Sequence, residues 1–282
     1  MNIVDKIINS VSALPTLPTI YAQLSEALDD EFASNQRIAQ IISSDQSSSF
    51  KILKVANSPL FGVQKKIESI TQALLFLGHT EVKNILLALS IIKQFNSKGE
   101  TNSLRSVDLW AHSIATGIIS RNLALNSGLK KVDNYFLAGI LHDIGKVIFL
   151  EFVPEEYKVA VKLAKDENIP IKNAEQEVLK IDHTQAGQVL AEKWKIPSYI
   201  QEAIQYHHAG QTPKGTNHLL STVHIANIIA RIMKLGFSGD NLIPQPNVIV
   251  WDEISLNKGD ILSLSEKTLQ DFKHAVHALL ID

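Results

Sequence analysis

Ten consecutive residues, Leu137-Ala138-Gly139-Ile140-Leu141-His142-Asp143-Ile144-Gly145-Lys146, set a histidine, an aspartate and a lysine inside a run apolar enough to be core. Ionisable groups in such a setting are costly unless they pair with one another or bind a metal. A solitary His-Asp pair reads as structural. This one has company: His112 lies upstream in Leu109-Trp110-Ala111-His112-Ser113-Ile114-Ala115, and Asp182-His183-Thr184 and Tyr206-His207-His208 lie downstream. Five histidines thus fall within apolar helices or at helix ends, on four separate segments. Neutral imidazole is the commonest biological metal ligand, and distant segments can bring such groups to one focus.

The chain has no cysteine, so disulfides, thiolate metal sites and a cysteine nucleophile are excluded. A metal here must be held by imidazole and carboxylate, which suits iron, manganese, zinc or nickel better than copper(I). A formal net charge of −2 gives no electrostatic footprint for nucleic acid or an anionic membrane. With 282 residues, 45% of them apolar and 20% charged, the composition is that of a globular protein of one large or two ordinary domains. No secretory signal is visible at Met1–Lys6, and the longest oily segment, Ile85–Ile92, is far short of the ~20 residues of a membrane span. The expected location is cytoplasmic, without a membrane partner.

Helical periods run through the whole chain, and the predicted fold class is all-α. Leu14-Pro15-Thr16-Leu17-Pro18 breaks one helix and leads into the next. Ser34 is an expected N-cap, and Asn57-Ser58-Pro59 a stop. Ser69-Ile70-Thr71-Gln72 matches a capping box, Gly78 ends that helix and Thr80 caps its successor. Helices are expected over 106–125 (with His112), 133–150 (with His142 and Asp143), 154–165, from 170, from Asp182 or Thr184 to Trp194, from Pro197 to His207, over 217–235 and over 265–280. The polar run Asn96–Ser103 is the expected internal boundary. It separates an N-terminal helical subdomain (1–100) from a metal-binding helical core (101–235), with a C-terminal loop and helix (236–282) packed on the core. Val248-Ile249-Val250-Trp251 is the one strand candidate.

On a continuous helix Asp143 lies about 100° round from His142, and Lys146 projects from the same face. Asp143 can offer one oxygen to each of two metals. Lys146 can hold a substrate phosphate or pair with Asp143. Asp108, four residues before His112, can orient that imidazole or cap its helix. His224, inside an apolar helix, reads as a hydrogen-bonded core imidazole; His79, His218, His274 and His277 read as incidental.

The order His112, His142-Asp143, His183, His207-His208 resembles the HD superfamily of metal-dependent phosphohydrolases. The N-terminal half is similar to the HDOD subgroup through Leu14-Pro15-Thr16-Leu17-Pro18, Ile52-Leu53-Lys54-Val55-Ala56-Asn57-Ser58 and Ile70-Thr71-Gln72-Ala73-Leu74-Leu75-Phe76-Leu77-Gly78. The resemblance covers residues 10–235 and implies a multi-helix HD-type bundle. It also implies two metal positions. One takes His112, His142, Asp143 and a late aspartate, whose place is held here by Asn227; the other shares Asp143 and adds His183, His207 and His208. An amide oxygen is a poorer ligand than a carboxylate, so the first position is expected to be weaker. The Gly-Tyr-Pro loop of cyclic di-GMP hydrolysing relatives is missing after His208, and that activity is not carried over. Two functions remain in view. One is a hydrolase of a phosphate ester or nucleotide, with Asp143 and Lys146 as catalytic residues. The other is a signalling module that binds metal or nucleotide, and a signalling protein partner, without turnover.

Overall fold

Side-chain caps set several of the helix starts that the sequence announces. The computed structural model describes residues 2–280 apart from 16, 18, 31–32, 96–99, 102–103 and 255–257. The first half holds α1 (Ile3–Ala13), α2 (Thr19–Asp29), α3 (Asn35–Ser43), α4 (Gln46–Ala56), α5 (Ile70–Leu77) and α6 (His79–Phe95). Ser34 accepts from the Arg37 N–H and Ser69 from the Gln72 N–H, as their N-cap assignments require. A cap at Thr80 would start its helix at Glu81; the helix starts two residues earlier, at His79, and Thr80 lies inside it.

The second half holds α7 (Ser106–Asn126), α8 (Val132–Leu141), α9 (Ile144–Phe152), α10 (Pro154–Asp166), α11 (Ile171–Leu179), α12 (His183–Lys193), α13 (Ser198–Tyr206), α14 (His218–Ile232), α15 (Val248–Ile254) and α16 (Lys258–Leu280). Asp182 opens α12 with a full capping box, its side chain answered by Gln185. The fold is all-α. Among the described residues the only strands are β1 (Glu100–Thr101) and β2 (Leu104–Arg105), paired antiparallel. β1 lies within the expected boundary Asn96–Ser103 and β2 directly follows it; the rest of that run lies outside the described residues, as do Thr16 and Pro18 of the proline motif. No single described helix is long and apolar enough to cross a membrane.

Two sequence expectations are corrected. The strand at Val248–Trp251 is the first part of α15: Asn247 accepts the Ile249 N–H on its side chain and the Trp251 N–H on its carbonyl, which starts a helix despite the β-branched run. The helix over 133–150 is two helices, with the break at His142-Asp143. The Nδ1–H of His142 donates to the Gly139 carbonyl at 2.7 Å, the acceptor that a continuing helix would give to the Asp143 amide.

The chain forms two compact units that are not contiguous in sequence. One comprises Leu17–Gln94 with Lys267–Asp282. In it α2 packs on α3, and α3 and α4 pack on α5, around Leu24, Ile38, Ile42, Ile52, Val55 and Leu74. Residues Ile85–Leu89 of α6 are buried all round, as their unbroken apolar run requires.

The other unit comprises Met1–Thr16 with Phe95–Glu266. Its spine is α7, against which α8 and α14 pack, while α9 packs on α12, and α12 on α13 and α1. Two crossings are close enough to demand glycine. A Cβ on Gly139 of α8 would lie 2.5 Å from the Gly117 Cα of α7, and one on Gly145 of α9 would lie 1.8 Å from the His183 carbonyl oxygen of α12. These contacts bring α7, the α8–α9 break and the start of α12 together.

Candidate metal centre

The seven predicted ligand positions come from five stretches of the second unit. His112 sits one third along α7; His142 and Asp143 form the α8–α9 break; His183 is the first residue of α12; His207 and His208 follow α13; Asn227 lies in α14. All are buried except His208, which is partly exposed. Asp143 is at the middle. Its Oδ1 faces His183 Nε2 at 3.4 Å and His207 Nε2 at 3.5 Å; its Oδ2 faces His142 Nε2 at 3.3 Å and His112 Nε2 at 3.9 Å. The donor atoms fall into two groups, His183/His207/His208 and His112/His142/Asp143, each with its atoms within 4.8 Å of one another.

Each imidazole is set by what its far nitrogen touches. The Nδ1–H of His142 donates to the Gly139 carbonyl, and that of His207 to the Ile204 and Ala203 carbonyls at 3.1 and 3.2 Å. The Nδ1–H of His183 donates to Glu175 Oε2 at 2.5 Å. A carbonyl or carboxylate only accepts, so in these three neutral rings the proton sits on Nδ1 and a lone pair on Nε2. All three lone pairs are aimed at Asp143, itself a pure acceptor. His142 Nε2, His207 Nε2 and Asp143 Oδ1 consequently have no hydrogen-bond partner although all are buried. Acceptors converging on acceptors in a dry interior are mutually unfavourable until a cation stands among them. The residues present therefore fit a divalent metal.

Burial, helped by the neighbouring His142, pushes His112 down to about 3. Burial also holds His207 and His208 well below the usual imidazole range, with His208 and His183 respectively the next contributors. For Asp143 burial opposes ionisation, but the interactions with His142 and the Lys146 ammonium outweigh it and keep the carboxyl well below its ordinary value. Neutral imidazoles around an ionised carboxylate are the protonation states that metal binding requires.

The two halves are unequal. His112 Nε2 donates to the Asn227 side-chain oxygen at 3.0 Å, so its inward nitrogen carries the proton. Lys146, buried in the first turn of α9, places its Nζ 2.7 Å from Asp143 Oδ2, so of its two sequence readings the structure displays the ion pair. On the other side His208 Nε2 lies 2.9 Å from His183 Nε2; since the latter is a lone pair, His208 donates. Asp108 does not orient His112: its carboxylate grips Arg105 in a two-pronged pair at 2.6 and 2.7 Å. His224 is the core imidazole expected, donating from Nδ1 to the His207 carbonyl at 2.7 Å and accepting the Asn247 N–H on Nε2 at 3.1 Å.

Sequence reasoning missed Glu175 and Tyr157, both fully buried beside His183. A signal was present. Ile171, Ala174, Glu175 and Leu179 lie at helical spacing on the buried face of α11, and a carboxylate in an apolar stripe requires a buried partner.

The HDOD domain family profile matches residues 14–210. A protein of Treponema pallidum is 25% identical over 229 residues, which cover 80% of this chain and 44% of that protein. The chain spans less than half the length of the curated relatives it matches. Among solved structures, an HDOD domain protein of unknown function from Geobacter sulfurreducens superposes with a TM-score of 0.80 at 25% identity, covering 99% of this chain and 98% of its own. A candidate phosphohydrolase from Shewanella amazonensis gives 0.71 at 21% identity, covering 97% and 98%, and shares the fold. A profile that matches most of the chain, on the fold of its solved members, identifies this protein as a member of the HDOD domain family.

Proposed function

We propose that this chain is an HDOD-type signalling protein that has kept a working HD metal centre and hydrolyses a phosphate ester or nucleotide in the cytoplasm. The observation that carries the reading is the convergence of unpartnered Nε2 lone pairs on Asp143, an arrangement with no purpose in a merely structural core. His183, His207, His208 and Asp143 Oδ1 would hold the principal ion, with iron or manganese favoured. His112, His142, Asn227 and Asp143 Oδ2 offer a second, weaker position. When bound, the metal supplies Lewis acidity, making water a better nucleophile and offsetting charge on phosphoryl oxygens. Asp143 fixes the spacing of the two halves through its two oxygens. Lys146 keeps a positive charge beside Oδ2, on the side where the second position is weakest, and is the group available to a substrate phosphate. The phosphohydrolase name of the Shewanella amazonensis relative supports this chemistry by analogy.

A second reading, a signalling module without turnover, is favoured by the His112–Asn227 hydrogen bond and by the Lys146 ammonium on Oδ2. Elemental analysis of protein purified without chelator, followed by a phosphodiester and nucleotide screen with manganese, tests the pair. One or more equivalents of iron or manganese with turnover is the expected result. Metal-free protein that stays empty after reconstitution removes the enzyme reading. Asn227→Asp then separates the two: a weakened enzyme gains rate, whereas a module binds metal more tightly and still does not hydrolyse.

A further inference from the structure

We propose that Glu175, anchored by Tyr157, is a positioning residue that fixes His183 as a lone-pair donor toward the metal centre; this rests on the metal reading above. Glu175 lies in α11, eight residues before His183, with no exposed surface. Its Oε2 accepts both the backbone N–H of His183 at 2.9 Å and the ring Nδ1–H at 2.5 Å. Its Oε1 accepts the Tyr157 hydroxyl at 3.2 Å. Two of the three bonds of this buried carboxylate thus go to one residue, and the third orients its plane.

A carboxylate is among the costliest groups to place in a core, and replacing it by an apolar side chain would spare that cost. What it supplies here is specific. A carboxylate has no proton to offer, so it excludes the His183 tautomer protonated at Nε2. An amide in the same place could turn its NH₂ toward Nδ1 and admit that tautomer. The carboxylate also places negative charge behind the ring and gives the His183/His207/His208 side an acidic group that the Asn227 side lacks. Tyr157 stays a donor: burial, then the charges of Glu175 and Asp143, pushes its phenol well above the ordinary value.

The decisive experiment needs no activity and no metal for its first half. In metal-free wild type, ¹⁵N NMR of the imidazoles, with His183 assigned by its loss in His183→Asn, is expected to show Nδ1 protonated and Nε2 bare. Glu175→Gln is expected to give a mixture of tautomers, and Tyr157→Phe a smaller admixture. In the second half, competition of Mn²⁺ with a chelator is expected to show about 10- to 100-fold weaker binding in Glu175→Gln. A wild-type His183 protonated at Nε2 overturns the proposal. So does a folded Glu175→Gln with wild-type tautomer and Mn²⁺ affinity. Failure of wild type to bind Mn²⁺ while His183 holds the expected tautomer refutes the metal reading and leaves Glu175 controlling the ring, so the two failures are distinguishable.

Discussion

Gly145→Ala adds one methyl group at the α9–α12 crossing, and its effect can be worked out from distances. The new Cβ would stand 1.8 Å from the His183 carbonyl oxygen, 2.6 Å from its carbon and 2.9 Å from the Gly187 nitrogen. All three obstacles are backbone, so no side-chain rotation relieves them. Ordinary contact begins near 3.4 Å, so the helices must part by roughly 1.5 Å. Intrinsic propensity pulls the other way, since alanine in a helix is favoured over glycine by about 0.5–1 kcal/mol. Overpacking costs about 1–3 kcal/mol and sometimes more; a clash against rigid backbone belongs at the upper end, so a net loss of about 2 kcal/mol remains after the gain in propensity. Asp143 borders the N-terminus of α9 and His183 begins α12, so the same displacement would widen the 3.4 Å gap between Asp143 Oδ1 and His183 Nε2. Urea unfolding of the metal-free protein reads the first effect, and Mn²⁺ competition, expected to weaken at least tenfold, reads the second. A variant as stable as wild type or more so, with unchanged Mn²⁺ affinity, would show that the crossing does not hold the centre together.

Lys146→Met strips Asp143 of its buried counter-charge and should cost about 3–5 kcal/mol in metal-free protein. Saturating Mn²⁺ should close part of that gap, and an equal loss with and without metal would argue against a shared electrostatic site. Acid should act through the histidines before it reaches Asp143. His112, at about 3, and His207, well below 6.5, stay neutral in the folded state while the unfolded chain takes up protons below 6.5. Stability of the metal-free protein should therefore be level above pH 7 and fall below pH 6.5 by up to about 1.4 kcal/mol per pH unit for each ring. The contribution of Asp143, whose folded value is depressed, is present above 3.8 and lost only as pH falls below it. Urea midpoints at pH 5, 6 and 7.5 check this; a flat profile contradicts the buried neutral rings.

What the sequence disclosed depended on whether the physics was local. The helical class, the caps at Ser34, Ser69 and Asp182 and the buried α6 follow from spacing and hydrogen-bonding chemistry within a few residues. The histidines could be singled out because imidazoles are conspicuous in apolar runs. The break at His142-Asp143 could not, because the apolar pattern continues across it and the cause is a side chain taking the Gly139 carbonyl. At Val248–Trp251 β-branched residues signalled a strand, and the capping by Asn247 prevailed. For Glu175 the helical spacing flags a carboxylate in the apolar stripe of α11, but the partner it serves lies eight residues away on another helix, which periodicity does not name. Asp108 shows the converse, a carboxylate at a suggestive spacing whose nearer neighbour Arg105 claims it.

The first helix belongs with residues that are synthesised long after it. The Lys193 ammonium, at the end of α12, gathers the carbonyls of Val11, Ser12 and Leu14, and the Trp194 indole donates to the Pro15 carbonyl at 3.0 Å. Helix α1 also packs on α9, and its Lys6 pairs with Glu156 of α10, so its seat in its own unit is completed only when α12 exists. Everything from Leu17 to Asp182, including the Leu17–Gln94 segment of the other unit, is looped out when the two meet, at an entropic cost that depends on how compact that stretch already is. On the ribosome the intervening unit emerges complete, apart from its C-terminal piece, while α1 waits with its apolar face uncovered. Order of synthesis and order of assembly thus part company for α1, a helix made before its partners and fully seated only after the last of them.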